Sequence, residues 1–262
     1  MTHDGMGCWQ VLYDEPEVEV VPVANTTLAI RPFGLVLYAG SSFIHIRVPR
    51  GRHPQGFPPS PSAMVEYFRG STAAGGWAGW RETPSGWIVE HRIEMAPDPR
   101  LEGTQVTYEV AITDDRAEVH LLRAGTDDAV ERWRRLSGPG ISPLVGAWEQ
   151  RSDQDRWLYL VTAGHFGVMR ADLKRPAIGH DAELTDEEVT SLVDTCGANA
   201  GAHVMTPGTF DHWPMIASSV AGYEIRKHQT FRLVDVEPNQ FRATLPGLPG
   251  DDVPGTWVRR TE

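Results

Sequence analysis

The chain has 262 residues, and its 35 acidic and 24 basic side chains leave a net charge of −11. That length suits one large domain or two of about 120–150 residues. The acidic charge and the lack of any Lys/Arg block argue against a nucleic-acid partner, because phosphate binding needs a concentrated basic surface. No stretch approaches the roughly 18 apolar residues of a membrane span, and the polar N-terminus is atypical of a signal peptide. We therefore expect a cytoplasmic protein without a membrane partner.

The composition indicates the fold class. Two cysteines, Cys8 and Cys196, are too few for a disulfide scaffold or a cysteine-based zinc site, and we expect reduced thiols. The 26 Gly and 20 Pro residues supply frequent turns, and the nine Trp residues supply bulky aromatic side chains. Together they favour a β-rich architecture over a helical bundle.

Alternation of apolar and polar residues between Gly, Pro or Asp turns predicts β-strands along the whole chain. In the first half these strands are predicted at residues 43–48, 87–95, 105–113 and 117–122. A short helix is predicted over Met64–Arg69, opened by Ser62. In the second half strands are predicted at residues 156–161, 166–170, 223–234 and 240–245. There Thr185 and Glu188 form a capping box, which predicts a second short helix.

The two halves repeat one pattern, which must be considered before any motif. Gly7-Cys8-Trp9 is echoed by Gly146-Ala147-Trp148. Over the middle of the repeat a constant offset pairs Phe43 with Phe166 and Arg47 with Arg170, and near the ends Trp133 with Trp257. The first copy would carry about 16 extra residues in its opening hairpin. We predict two domains, residues 5–136 and 143–262; the alternative is a chance alignment within one large β-domain.

Each repeat would hold seven or eight antiparallel strands and one short helix. A sheet of that size in about 120 residues removes its edges most simply by closing into a barrel. Small eight-stranded barrels can enclose one small ligand. We therefore predict an all-β fold of two antiparallel β-barrels in tandem.

Several elements of the second repeat resemble, in their order, the bacterial lipocalin-like domain family. They are residues 144–148, 157–159, 163–166, 169–176, the helix at Thr185, residues 206–213 and residues 257–260. The likeness covers most of residues 144–260, and the first repeat is a more diverged relative. The resemblance implies a calycin-type barrel that encloses a small molecule. Two-barrel relatives are similar to cofactor-free cyclases, hydratases and isomerases that act on apolar metabolites, which is an analogy at the level of the fold.

Strand parity indicates which polar side chains enter a barrel. His45 and Arg47 share a face with Phe43, and His91 lies between Val89 and Ile93 on an apolar face. The apolar face should be the barrel interior. We predict His45, His91 and Arg47 as a catalytic cluster for general acid–base chemistry. The alternative is two separate core histidines bonded to neighbouring hydroxyls or carbonyls.

The same offset predicts how the second repeat differs. It matches His45 and His91 with Val168 and Pro214, and it sets His212 opposite Val89 and therefore inward. Two further histidines, His165 and His203, are expected to be exposed at strand or loop ends.

The nine tryptophans fall into two groups, according to whether the other repeat has a tryptophan at the matching position. Four of them occupy matching places in the two repeats and are predicted to pack and close the barrels: Trp9, Trp133, Trp148 and Trp257. The other five have no Trp counterpart: Trp77, Trp80, Trp87, Trp157 and Trp213. Aromatic walls attract planar ligands and stabilise cations, although ordinary packing is the alternative. Predicted substrate-binding residues are Trp77, Trp80, Trp87, Phe43, His212, Trp213 and Arg170.

No metal-ligand spacing, nucleotide-binding loop or serine-nucleophile motif occurs, so we expect no metal and no cofactor. The predicted function is a cofactor-independent cyclase, isomerase or lyase that acts on an apolar small metabolite in secondary-metabolite biosynthesis. One alternative is a non-catalytic small-molecule binder or carrier. Another is a structural protein whose first barrel has lost its cavity. The sequence leaves the oligomeric state open, with a homodimer as one alternative.

Overall fold

The structure is a computed structural model. It describes residues 5–12, 19–23, 26–31, 33–48, 60–122, 130–176, 178–179, 181–193, 195–218, 228–244 and 255–261.

Ten strands and one α-helix form the described part of the first repeat. They are β1 (Gly7–Leu12), β2 (Glu19–Val23), β3 (Thr26–Arg31), β4 (Gly34–Ala39), β5 (Ser42–Arg47), α1 (Pro61–Gly70), β6 (Thr72–Thr83), β7 (Gly86–Met95), β8 (Gln105–Thr113), β9 (Arg116–Leu121) and β10 (Val130–Ser137). A 3-10 turn at Pro99–Leu101 connects β7 to β8. Eight of the strands close into an antiparallel barrel in the order β1-β10-β9-β8-β7-β6-β5-β4.

The second repeat forms a barrel of the same size. Its elements are β11 (Gly146–Arg151), β12 (Asp155–Val161), β13 (His165–Asp172), α2 (Asp186–Leu192), β14 (Cys196–Thr206), β15 (Thr209–Ala217), β16 (Gln229–Val236), β17 (Gln240–Thr244) and β18 (Gly255–Arg259). All eight strands close in sequence order. The predicted all-β fold with two tandem barrels is therefore confirmed.

The predicted strands coincide with observed strands to within a few residues. Residues 223–227 and 245, which were included in two of the predicted strands, lie outside the described residues. The extra residues of the first opening hairpin include β2 and β3, which pair with each other as a separate two-stranded sheet. The domain limits 5–136 and 143–262 stay a prediction.

Local side-chain chemistry starts both helices. Thr185 caps α2, and the reciprocal bonds with Glu188 complete the predicted capping box. In α1 the cap is Ser60, whose Oγ accepts a hydrogen bond from the Ala63 amide at 3.2 Å. The start predicted at Ser62 was thus two residues late, because Pro61 is well suited to the first helical position directly after a serine cap.

The barrels pack through equivalent strands. The outer faces of β4, β5 and β6 meet those of β12, β13 and β14 in one buried apolar cluster. Small residues permit this approach: a Cβ at Gly75 would lie 3.1 Å from Leu158, and one at Gly167 would lie 3.2 Å from Leu37. Gly75 of β6 and Gly167 of β13 thus lie on strands that form the interface between the barrels.

A charge cluster borders this apolar interface. Glu94 of the first barrel accepts hydrogen bonds from Arg156 and from Arg260 of the second, the latter at 2.9 Å. Burial tends to raise the pKa of Glu94, but the bonds from the two arginines outweigh it and lower the pKa. Among the described residues, no helix is long and apolar enough to cross a membrane.

Candidate functional site

Both barrels share a tryptophan–arginine unit that joins the first strand to the last. The indole Nε1 of Trp9 donates to the Gly5 carbonyl at 2.9 Å, and that of Trp148 donates to the Leu144 carbonyl at 2.8 Å. The guanidinium carbon of Arg135 lies 4.5 Å from the centre of the Trp9 ring. Arg259 lies 4.1 Å from the centre of the Trp148 ring. The four recurrent tryptophans are all buried, which confirms their packing role.

A buried histidine stands at the centre of the first barrel. The His91 ring stacks on Phe43 with a centroid separation of 3.8 Å. Its Nε2 shares a hydrogen bond with the Tyr38 hydroxyl at 2.9 Å, and Tyr108 packs edge-on against it. His91 is 2% exposed, and burial lowers its pKa to about 3. The imidazole is therefore neutral at physiological pH.

The second barrel contains the same unit. The His212 ring stacks on Phe166 at 3.7 Å, and its Nε2 shares a hydrogen bond with the Tyr159 hydroxyl at 2.8 Å. Its pKa is held well below the ordinary value, first by burial and then by His203. We call Tyr38–His91–Phe43 and Tyr159–His212–Phe166 the two Tyr–His–Phe units. The prediction that His212 points inward is confirmed.

Strand register corrects the alignment of these histidines. His91 pairs with Ala78 between β6 and β7, and His212 pairs with His203 between β14 and β15. Each ladder has a β-bulge, and each histidine lies two residues before the residue paired next to that bulge, Ile93 in the first barrel and Pro214 in the second. His212, and not Pro214, is thus the counterpart of His91. The constant offset was wrong here because the hairpin of β14 and β15 is shorter than that of β6 and β7.

The tyrosines of the two units come from different positions of equivalent strands. Trp9 pairs with Val36, whereas Trp148 pairs with Tyr159. Tyr159 thus occupies the place of Val36, and Tyr38 lies two residues further along β4. Both hydroxyls nevertheless reach a histidine Nε2, and burial raises the pKa of both phenols.

A polar chain that is particular to the first barrel lies near the end where β5 finishes. The Nε1 of Trp133 donates to Glu131 at 3.0 Å, and Glu131 forms an ion pair with Arg47. The Nε of Arg47 donates to Nε2 of His45 at 3.1 Å. Because an arginine N–H can only donate, Nε2 of His45 is the acceptor, and the proton of the neutral ring is on Nδ1. We call Trp133, Glu131, Arg47 and His45 the barrel-1 polar chain.

The electrostatics of the polar chain keep His45 neutral. Burial, the positive charge of Arg47 and the neighbouring His91 hold the pKa of His45 well below its ordinary value. Its lone pair is occupied by Arg47, and its Nδ1–H is a hydrogen-bond donor. This geometry suits stabilisation of a developing oxyanion better than removal of a proton. His45 and His91, predicted to act together, have their Nε2 atoms bonded to different partners.

The second barrel replaces most of this chain. Val168 corresponds to His45 on the register of β13, as predicted. Arg170, the counterpart of Arg47, bonds Asp155 at 2.8 Å and lies 5.8 Å from the Trp157 ring centre. Gly255 is two residues before Trp257, as Glu131 is before Trp133.

The predicted aromatic wall does not form one site. Trp80 and Trp87 face inward, 6.1 Å apart, while Trp77 lies on the outer side beneath Arg92. Trp80 lies eight residues along β6 from Thr72, the partner of Arg47, so this group lies at the other end of the barrel. Trp77 and Trp80 line a cleft of about 520 Å³ there. In the second barrel Trp213 stacks on His228 outside the barrel, at 4.7 Å.

Two histidines expected to be exposed are instead packed, His203 inside the second barrel against Phe210 and His165 beside the first repeat. His203 is 5% exposed, and its Nε2 donates to the Thr162 carbonyl at 2.9 Å. His165 is partly buried and bonds Ser137 at 2.9 Å. The Thr162 hydroxyl donates to a carbonyl, so the Ser137 hydroxyl donates to Thr162 and accepts from His165. The serine hydroxyl thus accepts a hydrogen bond from the histidine, whereas a nucleophilic serine donates its hydrogen bond to the histidine that acts as its base.

Within the described parts of the chain, no three His, Cys, Asp or Glu residues form a group that could hold a metal ion. The sequence matches no described protein family. It also matches no curated protein. The fold is similar to the crystal structure of the uncharacterized protein YLR301w from Saccharomyces cerevisiae, with a TM-score of 0.51 and 10% sequence identity. The similarity covers 97% of each chain and shows that the fold is shared.

Proposed function

We propose that the protein is a lipocalin-like, cofactor-independent enzyme whose first barrel polarises an oxygen atom of an apolar small metabolite. The observation that carries the proposal is the barrel-1 polar chain, in which Arg47 leaves His45 as a neutral donor. Half-buried polar groups need partners, and this chain has no full counterpart in the second barrel. The Tyr–His–Phe units, in contrast, recur in both barrels and do not by themselves distinguish the first barrel.

The charges of the polar chain favour an uncharged substrate. Glu131 and Arg47 neutralise each other as an ion pair, so a ligand beside them meets little net charge. In the proposal a carbonyl oxygen accepts a hydrogen bond from the Nδ1–H of His45. Stabilisation of negative charge on that oxygen would promote isomerisation or cyclisation of an unsaturated ketone.

His91 keeps its predicted role as a proton carrier within this proposal. Its Nε2 shares a hydrogen bond with the Tyr38 hydroxyl, which provides a route for a proton along the wall of the barrel. The pKa of about 3 makes it a weak base, suited only to transient transfer. The proposed location is the cytoplasm, supported by two buried free cysteines.

The direct test is hydrogen exchange on ketone probes. Cyclohexanone, cyclohex-2-en-1-one and β-ionone are incubated with the protein in D2O, and loss of the α-proton signal is followed by NMR. We expect His45→Val, which installs the residue of the second barrel, to slow the exchange at least tenfold. The control His120→Val, on a strand position next to inward Val119, should exchange at the wild-type rate.

Melting shifts with the same probes separate catalysis from binding. Probe-induced stabilisation without exchange in the wild type would favour the carrier function. Exchange that is unaffected by His45→Val would contradict the enzymatic proposal. If the wild-type protein shows neither stabilisation nor exchange, both functions are contradicted for this substrate class.

A further inference from the structure

We call the pairing of a barrel's first and last strands its seam. In the second barrel this pairing stops early and leaves the seam open at one end, whereas in the first barrel it continues. In the first barrel β1 and β10 pair beyond Trp9 as far as Leu12. In the second, β11 and β18 pair only at Trp148 and Glu149. The next inward position, Gln150, therefore lies where the two strands separate. A groove of about 630 Å³ follows this separation, and Gln150 lines it.

Two inward-facing polar atoms beside this opening lack a hydrogen-bond partner among the described residues, as does Nη1 of the groove residue Arg260, whose Nη2 bonds Glu94. The two inward-facing atoms are Nε1 of Trp257, which is 2% exposed, and the buried Oε1 of Gln150. Buried polar atoms are almost always paired, so an unpaired donor and an unpaired acceptor near one opening indicate a missing group. That group must accept from the indole and donate to the amide. A hydroxyl is the smallest organic group that does both.

The first barrel shows what satisfies the equivalent indole. There Glu131 supplies the acceptor for Trp133 at 3.0 Å. The corresponding residue of the second barrel is Gly255, which has no side chain to offer. A Cβ at Gly255 would lie 3.0 Å from the amide of Gln150, which shows that this amide is directly beside the position.

The surroundings set the chemical class of the ligand. Trp157 and Trp257 pack edge to face with centroids 6.4 Å apart, and Phe241 stacks on Trp257. Three arginines line the groove, and each is already engaged: Arg151 with Glu149, Arg260 with Glu94, and Arg259 with backbone carbonyls. An anion would have to compete with these partners, whereas a neutral group would not. We propose that the open seam of the second barrel binds a neutral aromatic alcohol, with its hydroxyl between Trp257 and Gln150. This site is separate from the proposed reaction site in the first barrel.

The probe is 1-naphthol, and binding to the full chain is measured by calorimetry. 1-Methoxynaphthalene cannot donate a hydrogen bond, and 1-naphthoic acid is an anion at neutral pH. We expect each to bind at least tenfold more weakly than 1-naphthol.

The decisive variant is Gly255→Glu, which gives the second barrel the acceptor that the first one has. We expect it to occupy the site and to weaken 1-naphthol binding at least tenfold. The matched control is Gly164→Glu, at a turn where a Cβ meets nothing within 4 Å. Binding to this control should equal binding to the wild type.

A second variant guards against a folding defect in the first. Gln150→Leu keeps the side-chain size and removes the acceptor, so the preference for 1-naphthol over 1-methoxynaphthalene should disappear. Unchanged 1-naphthol affinity in Gly255→Glu overturns the proposal, as does a wild-type protein that fails to bind 1-naphthol at millimolar concentration. Ketone exchange by the first barrel should persist in Gly255→Glu, so failure of one proposal can be distinguished from failure of the other.

Discussion

The two barrels have one frame and different polar interiors. Each contains a buried Tyr–His–Phe unit and a tryptophan that donates to the carbonyl four residues before it. They differ near the end where β5 and β13 finish. There the first barrel pairs the Trp133 indole with Glu131, while the second has Gly255 and an unpaired Trp257 indole. The two barrels thus differ in the partners of equivalent inward polar atoms, and that is where ligand chemistry should be sought.

The largest effects should come from the shared frame. Replacing either Trp9 or Trp148 by Ala removes a fully buried side chain and should cost about 3–5 kcal/mol in the free energy of unfolding. Urea titrations of the two variants measure this cost. Equal losses would support equivalent roles. A loss under about 1 kcal/mol in only one variant would show that the two tryptophans are not equivalent. Trp213→Ala, on the outer face, is the control.

The hydroxyl groups of the Tyr–His–Phe units come next. Tyr38→Phe and Tyr159→Phe each leave a buried histidine nitrogen without its partner, which should cost about 1–3 kcal/mol. We expect similar values for both variants by the same titration, although the tyrosines come from different strand positions. Neutral effects of both would show that the units are held by ring stacking alone.

A smaller and pH-dependent effect is expected at the junction of the barrels. Because the pKa of Glu94 is lowered in the folded state, its charge contributes stability above the ordinary value of 4.5. That contribution is lost as the pH falls through the folded pKa. Glu94→Gln should therefore cost about 1–2 kcal/mol near pH 7 and progressively less below about pH 4.5.

Melting curves of the wild type and Glu94→Gln between pH 3 and pH 8 measure that difference. Glu118→Gln is the control, because its side chain is exposed and lies 4.0 Å from Arg132. If the wild type instead became more stable relative to Glu94→Gln as the pH falls, the prediction for an ion-paired carboxylate would be contradicted.

The smallest effects should distinguish the two helices. Thr185→Ala removes the capping box of α2 and should cost about 1 kcal/mol. Ser60→Ala removes the single capping bond of α1, at 3.2 Å, and should cost about 0.5 kcal/mol. Thermal unfolding of the two variants gives the order, and a greater loss in Ser60→Ala would contradict it.

Much of the fold could be predicted from the sequence, because strand alternation and the capping box at Thr185 are local signals. The repeat register was correct at Phe43 and Phe166, where strands follow one another without insertions. It was wrong at His91, because hairpins of different length change the offset between equivalent positions. A single offset cannot represent such changes, so Pro214 was matched in place of His212.

The site was less predictable, because polar partners come from distant strands. His45 and Arg47 are two residues apart and could be paired by parity, but Glu131 joins them only when β10 closes the barrel. Likewise Gly255 gave no signal by itself. Its lack of a side chain matters only because the neighbouring Trp257 and Gln150 are left without partners, whereas Glu131 supplies one for Trp133 in the first barrel.

The contrast between the two indoles can be measured in one spectrum. Protein labelled with ¹⁵N at tryptophan is titrated with 1-naphthol, and the indole N–H resonances are assigned through Trp133→Phe and Trp257→Phe. We predict that the Trp257 signal shifts as it gains a hydrogen-bond acceptor, while the Trp133 signal, already bonded to Glu131, stays in place. A shift of Trp133 with an unmoved Trp257 would contradict the assignment of the ligand site to the second barrel.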